Sequence, residues 1–205
     1  SRNFAPRTRC GRYAILFSFS CSLMSKHART KRPELVKQLI LDGASKICSE
    51  QGLSSVTIQA VAEMADVTKG GVLHHYASQQ ILVDAMMQYQ LQKLDDALEA
   101  AMALDSEPFG RFTRAYILCT FDIQEETFSI SLLTDPGLKQ QWIEWFRERL
   151  ERHRETDSSP TLDIVRLAVD GFWLTKVTET TEIVTTGAQE LKERLQAMTY
   201  QKGAK

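Results

Sequence analysis

The stretch Thr57-Ile58-Gln59-Ala60-Val61-Ala62-Glu63-Met64-Ala65-Asp66-Val67-Thr68-Lys69-Gly70-Gly71-Val72-Leu73-His74-His75-Tyr76 decides the fold. Ile58, Val61, Ala62 and Ala65 recur at the three-and-four spacing of a short helix, and Ser55 or Thr57 stands where its N-cap belongs. The pattern restarts three residues later. Thr68 can cap a further helix with Val72, Leu73 and Tyr76 pointing inward, and Ala65-Asp66-Val67 leaves room only for a tight turn. Two helices of about two turns each across such a turn form a helix-turn-helix.

Working outward, the same periodicity holds. Pro33 is tolerated at a helix start, and Leu35, Leu39, Ile40, Ala44, Ile47 and Cys48 predict a helix over 33–51 that stops at Gly52. A long pattern from Ser78 to Leu104 (Ile81, Leu82, Ala85, Met86, Tyr89, Leu94, Ala97, Leu98, Ala101) has no internal Gly or Pro, and can serve as a rigid link. Beyond it, Pro108, Gly110, Pro136, Gly137, Pro160, Gly171 and Gly187 punctuate helical stretches at 107–121, 127–133, 136–155, 160–179 and 184–201. Strand alternation is not evident, so the chain reads as all-α, with about nine helices and no internal repeat.

Composition bounds the alternatives. The 205 residues are 43% hydrophobic and 25% charged, with 10 Gly and 5 Pro, which excludes disordered and collagen-like classes. No apolar run reaches the roughly 18–20 residues that cross a bilayer. The net charge of −1 hides an asymmetry: residues 1–95 hold 12 Lys/Arg against 7 Asp/Glu, and residues 96–205 hold 13 against 19. One end of the chain suits a polyanion and the other does not. Four of the N-terminal cations, Arg2, Arg7, Arg9 and Arg12, precede an apolar run, Ala14 to Cys21, in the manner of a signal sequence. No small-x-small site follows, and Met24 opens the basic segment Ser25 to Arg32, so residues 1–23 are expected to be a disordered upstream extension, with a transit or signal peptide as the alternative. Cys10, Cys21, Cys48 and Cys119 form no CxxC pair, and only His74 and His75 are adjacent. Neither a zinc site nor a disulfide framework is expected, and the thiols read as reduced in a cytoplasm.

Residues 37–84 resemble the DNA-binding domain of the TetR family of bacterial transcriptional regulators. The likeness rests on Ile40-Leu41-Asp42-Gly43-Ala44, Glu50-Gln51-Gly52, Val56-Thr57-Ile58, Val61-Ala62-Glu63-Met64-Ala65, and Val67 through Tyr76, continued by Ser78 and Leu82. It implies a helix-turn-helix DNA-binding domain with a basic arm over 24–77, and a helical regulatory and dimerisation domain over 78–205. A recognition helix must enter a major groove about 12 Å wide with its leading turn against the DNA. Thr68, Lys69, Gly70 and Gly71 form that turn. Two glycines cost about 1 kcal/mol each in a helix, which close approach of backbone to DNA would explain. Lys69 supplies charge, Thr57 and Thr68 supply hydroxyls, and His74 and His75 lie one turn further on; adjacent histidines can equally be structural or solvated. Lys31 and Arg32 belong to a basic arm that adds phosphate contacts or reaches a minor groove, unless it is only a solubilising tail. Two residues depart from the family pattern. Gln79-Gln80 replaces the usual Lys-Glu, leaving Gln79 a neutral donor, and Asp66 replaces a turn glycine, a substitution that Asp tolerates in left-handed backbone.

The second half carries two further expectations. The helix at 160–179 is apolar around most of its circumference, and Val184, Ala188, Leu191, Leu195 and Met198 form a heptad-like stripe. The resemblance implies a dimer interface there, with Val165, Val169, Phe172, Leu191, Leu195 and Met198 as its candidates; an intrachain core is the alternative. It also implies a small-molecule pocket. Met86, Tyr89, Phe112, Tyr116, Trp142, Trp145, Phe146, Phe172 and Trp173, with Phe109 and Phe121, are candidate lining, though aromatics at helical spacing also serve as core. Asp122, Glu125 and Glu126 either complement a cationic ligand or lie in a solvated loop. The expected function is a cytoplasmic, dimeric repressor on a palindromic operator, released by a small hydrophobic or amphipathic effector, with no metal or cofactor. The alternative is a helical ligand-binding or interaction protein with a degenerate DNA-binding head. No Ser/His/Asp, metal-ligand or phosphate-loop constellation supports an enzyme.

Overall fold

Residues 33–122 and 134–200 are described by the computed structural model of the chain. Helix α1 spans Pro33–Gln51 and ends at Gly52, whose φ of +84° a side chain would strain. A 3-10 turn at Leu53–Ser55 leads to α2 (Ile58–Met64) and α3 (Lys69–His75). Next come α4 (Gln79–Ala103), α5 (Arg111–Asp122), α6 (Pro136–Arg152) and the single turn α7 (Arg154–Asp157). Helix α8 (Pro160–Val177), a 3-10 turn at Thr181–Ile183 and α9 (Ala188–Met198) complete the order. Among the described residues there is no strand, and no helix is long and apolar enough to cross a membrane. The chain is all-α, with an N-terminal helix-turn-helix head on a helical body.

The head closes on Ile40, Ala44, Ile47, Val56, Val61, Ala62, Val72 and Tyr76, all buried. Leu73 does not join them. Its side chain is 40% exposed, because a helix this short can turn only one narrow face to its support and Val72 and Tyr76 occupy it. The body is built around α5, whose Phe112, Thr113, Arg114, Ala115, Tyr116, Ile117 and Cys119 are buried on nearly all sides. The apolar circumference expected at 160–179 divides into two faces: α8 buries Leu162, Val165, Val169 and Phe172 and turns Ile164, Leu167 and Leu174 outward.

Several boundaries differ for identifiable reasons. The helix expected at 136–155 breaks at His153, whose φ of −102° and ψ of 16° leave the helical region; the next turn swings Asp157 into the core. The helix expected from 107 starts at Arg111, after Gly110 at φ +72°, where a Cβ would meet the Thr199 carbonyl oxygen at 2.7 Å. The last helix starts at Ala188, following Gly187 at φ +74°. The stretch 127–133 lies outside the described residues.

Buried polar groups fasten the body. The Asp157 carboxylate accepts from the Thr113 backbone N–H at 2.8 Å, the Thr113 hydroxyl at 2.7 Å and the Thr156 hydroxyl at 2.9 Å. Arg166 donates to Thr113 Oγ1 at 2.7 Å and to the Asp157 carbonyl at 3.0 Å, and also pairs with Asp163. Arg114 joins Asp105 to the carbonyls of Phe109 and Glu107, and Tyr200 lies over its guanidinium at 4.6 Å. Satisfied in this way, the buried charges set which faces of α5, α7 and α8 meet.

Candidate nucleic-acid interface

Three side-chain caps fix the head. Thr57 Oγ1 accepts from the Ala60 N–H at 3.1 Å, Thr68 Oγ1 from the Gly71 N–H at 3.0 Å, and Ser78 Oγ from the Ile81 N–H at 3.2 Å. In each case the oxygen serves its helix while the hydroxyl proton stays available to an outside acceptor. Between α2 and α3 the chain reverses at Asp66, φ +53°, and the Val67 N–H donates to the Ala62 carbonyl at 3.0 Å. Aspartate thus holds the left-handed position in place of glycine.

This turn presents Thr68, Lys69, Gly70, Leu73 and His74 as one exposed stripe of α3 and its cap. Lys69 makes no ion pair or hydrogen bond among the described residues, unlike Lys37, paired with Glu34 at 3.1 Å, and Lys46, near Glu50 at 3.9 Å. The two glycines have different reasons. A Cβ on Gly71 would lie 3.2 Å from Thr68 Oγ1 and crowd the cap. A Cβ on Gly70 would meet nothing nearer than that same oxygen at 4.0 Å, so the fold itself does not require glycine there.

His74 is exposed, whereas His75 is half-buried. Burial first, then the nearby charges of His74 and Lys37, lower the His75 pKa below the ordinary histidine value and favour a neutral ring. Gln79 is exposed at the start of α4 and makes no hydrogen bond among the described residues, while Gln80 is engaged with Asp84 at 3.1 Å. Lys31 and Arg32 lie outside the described residues. Within 33–77 only Lys37, Lys46 and Lys69 oppose Glu34, Asp42, Glu50, Glu63 and Asp66. The basicity of the N-terminal half therefore resides in the segment before Pro33.

The candidate pocket residues separate into groups. Phe112, Tyr116, Trp142, Trp145 and Phe146 come together between α5 and α6, with ring centroids 5.5 Å apart for Tyr116–Phe146 and 5.8 Å for Trp142–Phe146. Met86 is buried on α4 in the same core. Phe172 instead stacks on Phe121 at 4.0 Å, and Trp173 is partly buried. Tyr89 leaves the group altogether. Its hydroxyl donates to Asp42 Oδ1 at 2.9 Å and accepts from Gln38 Nε2 at 3.4 Å, so it belongs to the seam between head and body. Asp122 is taken by Lys192 at 2.6 Å, and Glu125 and Glu126 are outside the described residues.

Two buried polar atoms of the body lie beyond what the sequence pattern predicts. Gln90 Oε1 and Trp145 Nε1 are buried with no hydrogen-bond partner among the described residues. Gln90 falls four residues after Met86 and four before Leu94, so a polar residue inside an apolar stripe is the signal that marks it. Asp170 carries no such signal; it accepts from the Tyr116 hydroxyl at 2.5 Å, and burial raises its pKa.

The expected dimer residues divide as well. Val165, Val169, Phe172 and Leu195 are buried within their own chain. Leu191 is partly buried and Met198 is 43% exposed. The apolar face turned outward on α8 is Ile164 (58% exposed), Leu167 (69%) and Leu174 (42%).

Comparison with known proteins agrees with both halves of this arrangement. The family model described as bacterial regulatory proteins, tetR family, matches residues 40–86, and the model of the tetracyclin repressor-like C-terminal domain matches residues 110–200. The HTH-type transcriptional regulator BetI of Burkholderia thailandensis is 28% identical over 89 residues. That match covers 43% of this chain and 46% of BetI, so the chain spans about half the length of this relative. A TetR-family member from Streptomyces coelicolor A3 superposes with a TM-score of 0.60 at 21% identity, covering 81% of this chain and 99% of that one. The multidrug binding protein EbrR, solved with malachite green, gives 0.60 at 20% identity, covering 80% and 98%. With the capped helix-turn-helix in its matched segment and the helical body in the other, the chain belongs to the TetR family of bacterial transcriptional regulators.

Proposed function

We propose that the protein is a homodimeric, DNA-binding repressor that reads a palindromic operator and releases it when a small hydrophobic or amphipathic effector binds the body. The observation that carries the DNA-binding reading is the exposed stripe of α3. It pairs an unengaged lysine, Lys69, with a glycine, Gly70, whose missing side chain the fold does not need. Close approach of a phosphate-bearing backbone gives both a reason. Thr57, Thr68 and Gln79 offer further donors, His74 extends the stripe, and Lys31 and Arg32 supply the charge that the head from 33 onward lacks.

Dimerisation is assigned to α8 and α9 through Ile164, Leu167, Leu174 and Met198, whose exposure in one chain is unusual for aliphatic side chains in a row. A two-fold dimer would set two recognition helices into successive major grooves. The effector is assigned to the cluster of Phe112, Tyr116, Trp142, Trp145 and Phe146, where Trp145 Nε1 offers a donor. Effector and operator would then couple reciprocally through the body and the head–body seam.

Footprinting of the purified full chain on the DNA upstream of its own gene, with and without candidate amphipathic compounds, tests this directly. Protection at a discrete site, weakened by a compound, supports it. Absence of sequence-preferring protection under all conditions would instead support a helical ligand-binding protein with a degenerate head.

A further inference from the structure

Resting on the DNA-binding reading above, we propose that Leu73 reads sequence by packing against the C5-methyl group of a thymine in the major groove. Leu73 follows Lys69 by four residues and Gly70 by three, so the three share one helix face. Its neighbours Val72 and Tyr76 are buried, yet Leu73 is 40% exposed and stands outside the hydrophobic core of the head. A large share of the leucine side chain is thus left open to whatever the helix meets.

Its surroundings select the occupant. Lys69 is an unengaged cation one turn earlier on the same face, which fits a phosphate-rich partner rather than an apolar protein surface. Gly70 presents no side chain beside Leu73, and a Cβ at that position would have its nearest neighbour 4.0 Å away, so the helix can sit close to the groove floor. A leucine has no hydrogen-bonding atoms with which to read donors or acceptors. The one apolar feature that base pairs display in the major groove is the thymine methyl. Leu73 therefore discriminates by shape and desolvation, and an operator half-site should contain a thymine facing it.

The test begins with duplexes enriched by the purified full chain from a random-sequence DNA pool. Each thymine of an enriched duplex is replaced by deoxyuridine, which removes only the C5-methyl, and binding is titrated for the native chain and for Leu73→Ala. The expected result is one sensitive thymine per half-site, weakened about fourfold by loss of one methyl contact in the native chain. In Leu73→Ala the same replacement should have no effect, with helical content unchanged by circular dichroism because the side chain lies outside the core. Leu73→Met, which keeps apolar reach, should retain part of the sensitivity. Tight binding with no deoxyuridine-sensitive position, or with equal sensitivity in Leu73→Ala, overturns the Leu73 assignment while leaving the DNA-binding reading intact. Failure to enrich any duplex overturns both.

Discussion

Removing the Tyr89 hydroxyl probes how the head is held on the body. Tyr89 is on α4 and its hydroxyl meets Asp42 and Gln38, both on α1, at 2.9 and 3.4 Å. A hydrogen bond to a carboxylate contributes about 1.5–3 kcal/mol, but Tyr89 and Asp42 are only half-buried, and water replaces part of what is lost. About 1 kcal/mol is therefore expected for Tyr89→Phe, a drop of about 2–4 °C in Tm for a protein of this size. Burial, then the Asp42 contact, raises the phenol pKa above its ordinary value, so the donor is intact throughout the neutral range. Thermal unfolding of Tyr89→Phe, Asp42→Ala and the double variant forms a cycle in which helix-propensity changes at position 42 cancel. Coupling of about 1 kcal/mol is predicted, and the same pairs should be non-additive in DNA affinity if the seam sets the angle of the head. Additivity within about 0.3–0.5 kcal/mol would refute the seam as a fastening.

Other consequences can be checked one by one. Lys69→Ala should weaken DNA binding evenly across sequences and reduce the salt slope by about 0.9 per subunit, read from affinity titrations at several salt concentrations. Asp157→Ala leaves the Thr113 N–H and two hydroxyls without their buried acceptor, and should cost about 3–5 kcal/mol in chemical denaturation, with Asp157→Asn intermediate. Leu167→Lys should leave the single-chain fold intact, since the side chain is 69% exposed, and weaken the dimer about a hundredfold by sedimentation, from about 3 kcal/mol for an unpaired interface charge. The Arg114 hydrogen bond holds the Asp105 carboxyl below the ordinary range, so its contribution is present at neutral pH and is lost as pH falls through that depressed value. Asp105→Asn should flatten the acid limb of stability against pH, below about pH 4.

The head is legible in the sequence because its signals are local. Thr57 and Thr68 cap the helices whose apolar spacing starts beside them, and Asp66 reverses the chain where no helix could continue. Faces are harder to assign. On α8 both Val165-Val169-Phe172 and Ile164-Leu167-Leu174 follow helical apolar spacing, so periodicity alone cannot say which set meets the chain's own core. Only the packing of α5 and α7, fixed by Asp157 and Arg166, selects the first. Leu73 misleads for a related reason: hydrophobicity signals burial in an ordinary helix, but a seven-residue helix with one buried face exposes a leucine that points elsewhere. Tyr89 sits among apolar residues in sequence, yet its polar end finds Asp42, 47 residues away, a contact no local pattern encodes.

The most direct test of the central claim is enrichment of DNA from a random pool by the purified full chain, followed by hydroxyl-radical footprinting of the winning duplexes. Two heads related by a dimer axis predict an inverted repeat whose half-site centres are about one helical turn apart, with protection at both. No enriched sequence, or a consensus without two-fold symmetry, would contradict it.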